Sequence, residues 1–186
     1  MARTLAGLAA ALGLAGSAVP LPLQELASAP VAVVLVRHME KAANDPRDPD
    51  LSDAGRARAA ALDSLLARSG VTHLFATEWK RTSQTLEPLA RRTRAPIEVV
   101  PAGSPDELIA RLLALPAGAT AVVAGHSNTI PALARRLGGT IAGTTSGPQG
   151  DSLADAEYGR LVLLVLPAPG SPHRRALRTI ELHVGD

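Results

Sequence analysis

The sequence predicts an α/β fold: a three-layer sandwich in which a mostly parallel sheet is covered by helices on both faces and carries an antiparallel edge strand. Three features carry that prediction. The segments "VAVVLV" (31–36) and "TAVVAG" (120–125) are continuous apolar runs, with "HLFAT" (73–77) and "IEVV" (97–100) similar to them, as expected of strands buried on both faces. Segments with helical start and stop signals lie between these runs, and strands alternating with helices at this rhythm build parallel sheets. The last stretch, "GRLVLLVLPAPGSPHRRALRTIEL", reads instead as two strands around a Pro/Gly turn, hence antiparallel pairing at a sheet edge.

Taken in order, the first helix-like segment, "SDAGRARAAALDSLLARSG", opens on Ser52 as cap. It sets Ala61, Leu62, Leu65 and Leu66 on one face and stops at Gly70. "RTSQTLEPLARRT" follows the second strand, and Pro88 is expected to kink or shorten it. "SPDELIARLLAL" has the clearest start: Ser104 as cap, Pro105 at the first helical position and Glu107 completing a capping box. "SNTIPALARRLGG" again offers a cap, an early Pro131 and a glycine stop, and "TIAGTTSGPQGDSLADAE" (140–157) reads as a long polar loop.

The 186 residues suit one domain with a single sizeable core. Its expected extent is 30–186, preceded by a signal peptide and linker over 1–29: one Arg, an apolar tract from Leu5 to about Leu14, then small residues and prolines. "GSA" (16–18) and "ASA" (27–29) are the candidate cleavage sites, and the expected location is periplasmic or extracellular. The apolar run from Leu5 to Val19 is shorter than the roughly 20 residues a spanning helix needs, so no stable membrane anchor is expected. Aromatic residues make up only 2% and the net charge is +2, which leaves neither stacking faces nor a basic footprint for nucleic acid. Without cysteine there is no disulfide framework, thiol nucleophile or thiolate metal site.

In open α/β sheets, ligands bind beyond the carboxyl ends of the strands. There the first strand delivers Arg37 and His38, the second carries Arg81 into its helix, and the fourth ends in "GHSN", with His126 and Ser127 at a helix start. If these strands are neighbours, two arginines, two histidines and helix N–H groups converge on one rim. Arginine forks and helix N-termini suit phosphate. A neutral imidazole among cations keeps an open ring nitrogen that can attack phosphorus, while the remaining cations stabilise charge on the transferring group. His73, His173 and His183 read as structural or surface residues, and "RRTR" (91–94) and "HRR" (173–175) as solvated faces.

At these residues the chain resembles the histidine phosphatase superfamily, also called phosphoglycerate mutase-like. The family's Arg-His-Gly hallmark is matched by Arg37-His38 with Met39 in place of glycine, and Glu40 and Asn44 fall on positions similar members use. "LSDAGRARA" (51–59), "ATEWKRTSQTLEPLA" (76–90) and "AGHSNTIPAL" (124–133) resemble the family's further segments, in order. The resemblance implies His38 as the nucleophile that becomes phosphohistidine, with Arg37, Arg81 and His126 binding the phosphoryl group and Asn44 assisting, and Ser127, at the helix start beside His126, is a further candidate substrate contact. It implies a metal-independent phosphohydrolase without cofactor, acting on a small phosphorylated substrate or a phosphoprotein. A phosphomutase and a non-catalytic phosphate-binding or signalling module are the alternatives. No residue matches the carboxylate that many members insert after the second arginine. Glu40, Glu78, Asp106 and Glu107 are the candidates for the acid, with Glu40 preferred because it sits two residues from His38. A serine hydrolase is set aside because "GHSNT" has Thr129 where the nucleophile elbow requires glycine. No H-x-H or H-E-x-x-H spacing supports a dinuclear metal site.

Overall fold

The computed structural model describes residues 29–148, 150–172 and 175–184, so the expected signal peptide lies outside the described residues, Ala29 apart. Four strands run parallel: β1 (Val31–Arg37), β2 (His73–Ala76), β3 (Ile97–Val99) and β4 (Thr120–Gly125). Helices α1 (Asp53–Leu65), α2 (Lys80–Thr93), α3 (Pro105–Leu113) and α4 (Thr129–Arg136) connect or follow them. A small hairpin, β5 (Thr145–Gly147) and β6 (Gly150–Ser152), precedes β7 (Arg160–Leu166) and β8 (Arg178–His183). The six-stranded sheet has the order β3-β2-β4-β1-β7-β8, its last two pairings antiparallel. The antiparallel part is therefore two strands wide: β7 lies against β1 inside the sheet and β8 forms the edge.

Strand periodicity explains the layers. Val31, Val33 and Leu35 of β1 fall into one buried cluster and Val34 and Val36 into the other, because successive side chains point to opposite faces. Ala121 and Val123 of β4 likewise join the first cluster, Val122 and Ala124 the second. The first cluster is closed by Leu112 of α3 and by Ile130 and Leu133 of α4; the second by Ala59 and Leu62 of α1 and Leu86 and Leu89 of α2. Apolar runs without alternation thus mark strands covered on both sides.

Local signals are honoured unequally. Ser52 caps α1 as expected, accepting the Gly55 N–H at 3.1 Å. Ser104 occupies the N-cap of α3 but makes no side-chain cap bond, and Glu107 pairs with Arg111 one turn on, at 2.7 Å, instead of closing a capping box. Pro88 does not shorten α2, which continues through it to Thr93. A proline removes one backbone bond at a cost of about 3 kcal/mol, and the fully buried Leu86 and Leu89 on either side hold the helix to the sheet regardless. The 140–157 loop contains the β5–β6 hairpin, which its polar, glycine-rich composition did not announce.

One glycine is fixed by packing. The chain after β1 pairs with the entry to α1: Ser52 N–H donates to the Glu40 carbonyl at 2.9 Å, and Ala42 N–H to that of Asp50 at 2.8 Å. A Cβ on Gly55 would lie 2.3 Å from the Glu40 carbonyl oxygen, so the helix can cross here only without a side chain. Gly55→Ala is expected to lower stability by about 2 kcal/mol through overpacking, read as a shift in the urea midpoint. An unchanged midpoint would show that the segment carrying His38 is not held by this crossing.

Candidate active site

β1 and β4 are adjacent, with Arg37 in register with Gly125. Their carboxyl ends therefore deliver Arg37, His38 and His126 to one place, and β2 on the far side of β4 brings Thr77 and the start of α2, with Arg81. The His38 N–H donates to the Gly125 carbonyl at 2.8 Å, which ties the two strand ends together. The imidazoles of His38 and His126 meet edge to face, their centroids 5.5 Å apart.

Arg37 is 6% exposed and His38 4%. One terminal nitrogen of Arg37 donates to three backbone carbonyls of a single loop: Ala154 at 2.9 Å, Asp155 at 3.0 Å and Glu157 at 3.2 Å. The Tyr158 ring lies 4.1 Å from the guanidinium carbon. Arg81 is placed in a similar way, 5.0 Å from the Trp79 ring, with Asp48 at 3.8 Å. The buried Nε atoms of both arginines lack a partner among the described residues, so each fork is held yet incompletely satisfied, as an anion-binding group would be.

Tautomers follow from the hydrogen bonds. His38 Nδ1 lies 2.8 Å from the Met39 carbonyl oxygen, which can only accept; Nδ1 is therefore the protonated nitrogen and Nε2 carries the lone pair. For His126 the chain is longer. The Thr82 hydroxyl is 2.7 Å from the Trp79 carbonyl and gives its proton there, so Thr77 donates to Thr82 at 3.0 Å. His126 Nε2, at 3.1 Å, then donates to Thr77, and its lone pair is on Nδ1. Burial, reinforced by the charges of Arg81, His126 and Arg37, lowers the His38 pKa to about 3. Burial and Arg81 lower that of His126 to about 4. Both rings are neutral bases at pH 7.

Met39, the departure from the family's glycine, is fully buried in the α1/α2 cluster. Its side chain leaves the site, and its N–H is taken by Thr85 Oγ1 at 3.0 Å. Glu40 receives the Arg58 Nε at 2.9 Å. Asn44 bonds within its own loop, to Asp50 at 2.5 Å, and the Ser127 carbonyl receives the Leu153 N–H at 2.9 Å, anchoring the end of β6. Asp106 pairs with Arg136 and Glu107 with Arg111. Among the acid candidates, Glu78 is the one whose charge acts on both Arg81 and His126. Sequence reading missed Tyr158, Trp79, Thr77 and Asp48. The scarcity of aromatics was a usable signal: of one Phe, one Trp and one Tyr, two stack on the site arginines.

Residues 33–102 match the family model of the histidine phosphatase superfamily, branch 1. That span carries the first histidine and both arginines and ends before His126. No curated protein matches the chain in sequence. Solved structures share the fold. The protein histidine phosphatase SixA complexed with tungstate is 18% identical, with 82% of this chain and 96% of that chain covered and a TM-score of 0.62. A candidate phosphohistidine phosphatase SixA from Nakamurella multipartitia is 23% identical over 84% and 98%, with a TM-score of 0.59. The mycobacterial glucosyl-3-phosphoglycerate phosphatase is 17% identical over 72% and 89%, with a TM-score of 0.55.

Two predictions follow from the electrostatics. Because the folded-state pKa of His38 lies below its unfolded value near 6.5, the unfolded chain binds the extra proton as pH falls. The stability this group contributes is present above pH 6.5 and is lost below it. Between pH 6.5 and 5, His38 alone should cost about 1 to 2 kcal/mol; His38→Gln should flatten the fall in urea midpoint, and parallel profiles would contradict a neutral His38. Asp48 lies beside Arg81 and also receives the Lys80 N–H at 3.0 Å, capping α2 from outside because Trp79 cannot. Asp48→Asn keeps a cap acceptor and removes the competing charge, so tungstate should bind severalfold more tightly at low salt. Weaker binding would show that Asp48 supports the site instead of competing with its ligand.

Proposed function

We propose that the protein is a metal-independent phosphohydrolase that works through a phosphohistidine on His38. The observation that carries this reading is the fixed tautomer of His38: Nδ1 is spent on the Met39 carbonyl, and Nε2, without a partner among the described residues, keeps its lone pair where the charges of Arg81 and Arg37 are felt. In the first step the Nε2 lone pair forms a bond to phosphorus while the bond from phosphorus to the leaving group breaks. In the second step water displaces Nε2 and inorganic phosphate forms. Arg37 and Arg81 hold the equatorial oxygens throughout, and stacking on Tyr158 and Trp79 keeps their forks aimed.

His126 completes the cationic set on demand. It is neutral in the free site, and an arriving phosphoryl dianion raises its pKa, since an opposite charge favours the protonated form. For the leaving group, Glu78 is the carboxylate best placed among the four candidates, its charge acting on His126 and Arg81 while Glu40, Asp106 and Glu107 are engaged by arginines. A good leaving group, such as the imidazole of a phosphohistidine, needs no such donor. The substrate is a small phosphorylated molecule or a phosphoprotein, and the SixA proteins that share the fold support the phosphatase class.

With EDTA present, a chromogenic phosphomonoester should be hydrolysed, and His38→Ala should lower kcat by at least ~10³-fold with an unchanged circular dichroism spectrum. Acid-labile phosphate on His38 in quenched reactions should be visible by mass spectrometry. A fully active His38→Ala, or activity lost to EDTA, overturns the mechanism.

A further inference from the structure

We propose that a cavity beside the phosphate site receives an apolar portion of the substrate, so that the preferred substrates are phosphomonoesters of small apolar or aromatic alcohols. This rests on the phosphohydrolase reading above and goes beyond it by naming the leaving-group class. The cavity, about 200 Å³, lies between the carboxyl ends of β2, β3 and β4 and the helices α3 and α4. Its wall is largely apolar, formed by side chains such as Phe75, Val100, Leu108, Val123, Ile130 and Leu133.

Three observations connect it to the chemistry. Thr77 lines the cavity and receives His126 Nε2 at 3.1 Å, so a single side chain separates the apolar space from the catalytic imidazole. Gly125 also lines it, and its carbonyl holds the His38 N–H at 2.8 Å. Ala102, which lines the cavity, donates its N–H to Glu78 at 2.8 Å, which fastens its loop to an acid whose charge acts on His126. The position is also the one at which open parallel sheets take ligands. A dry apolar cavity of about 150 Å³ is large enough for benzene, so this one accommodates a ring or a short alkyl chain. Its lining offers the exposed Arg136, paired with Asp106, as its charged group. A polar or multiply charged leaving group would find few partners there, and its desolvation would be uncompensated.

Alkylphosphonates, which cannot be hydrolysed, separate the two readings. Methyl, propyl and hexyl phosphonate would be titrated into the full chain by calorimetry, with tungstate as competitor. Each methylene that enters the cavity should tighten binding roughly fourfold, levelling once the space is filled. Ala132→Phe, at an exposed lining position on α4, should abolish the gain from propyl to hexyl while leaving methylphosphonate and tungstate affinity unchanged. Leu108→Ala, which enlarges the space, should extend the gain to longer chains. Phosphonates that bind with an affinity indifferent to chain length, or an Ala132→Phe profile identical to wild type, overturn the cavity inference alone. Failure of both methylphosphonate and tungstate to bind overturns the phosphate site itself.

Discussion

Three carbonyl oxygens from the 154–157 loop converge on one nitrogen of Arg37, and Tyr158 closes over the guanidinium plane. This one interaction fixes the relation between the two ends of the fold. Arg37 is the last residue of β1, at the centre of the sheet, while the loop precedes β7, the strand that hydrogen-bonds to β1 along most of its length. A guanidinium buried at the end of an apolar strand would otherwise be an uncompensated charge, costing several kcal/mol. Carbonyl dipoles and an aromatic face stabilise it without neutralising it. The positive charge therefore survives at the rim, where a carboxylate partner would have quenched it.

That choice has consequences for the neighbouring rings. With Arg37 and Arg81 both charged, protonated His38 or His126 would add a third and fourth cation to a buried space, and burial already disfavours the charged imidazole. The histidines remain neutral, and neutrality leaves His38 Nε2 the free lone pair that the proposed phosphohistidine step requires. The threonine relay from His126 through Thr77 and Thr82 to the Trp79 carbonyl is the complementary device. It specifies a tautomer without introducing charge, and it links β4 to the first turn of α2. Asp48 performs the corresponding task for α2 itself, capping the helix and lying against Arg81 from a loop in which Asp50 is held by Gln84 at 2.8 Å.

The parts of this arrangement that were legible in the sequence are those set by periodicity and by position along a strand. The runs at 31–36, 73–77 and 120–125 became β1, β2 and β4 because apolar residues on both faces of a strand demand two covering layers, whereas 97–100 became the edge strand β3, where Glu98 is part-exposed and Val99 exposed. The residues just past their ends had to share a rim once the strands were neighbours. What escaped was determined by tertiary contact. Nothing local to Pro88 reports that Leu86 and Leu89 are buried deeply enough to carry the helix past it, and Ser104 and Glu107 satisfy a capping pattern that Arg111 diverts. Tyr158 lies more than a hundred residues from Arg37, and only the β1–β7 pairing brings the two together. Met39 stands where the resembled hallmark has glycine. It is a core residue, because the chain turns at His38 and sends the next side chain to the opposite face of the sheet.

The distribution of carboxylates completes the logic of the site. Acids close to a phosphoryl pocket weaken anion binding unless they are paired or protonated, and here the pairing is extensive: Glu40 with Arg58, Asp106 with Arg136, Glu107 with Arg111. Glu78 is drawn toward the loop by the Ala102 N–H, which moderates its repulsion of an incoming anion while keeping it near His126. With most of its candidate acids held by arginines, the site would, in the proposed reaction, stabilise charge on the phosphoryl group better than charge on the departing oxygen. The proposed chemistry would therefore be best matched to leaving groups that are intrinsically good or that gain affinity from another source. The apolar cavity proposed to take part of the substrate, separated from His126 by Thr77, would be such a source, because binding energy from a part of the substrate remote from phosphorus can be spent on orienting the reacting bond.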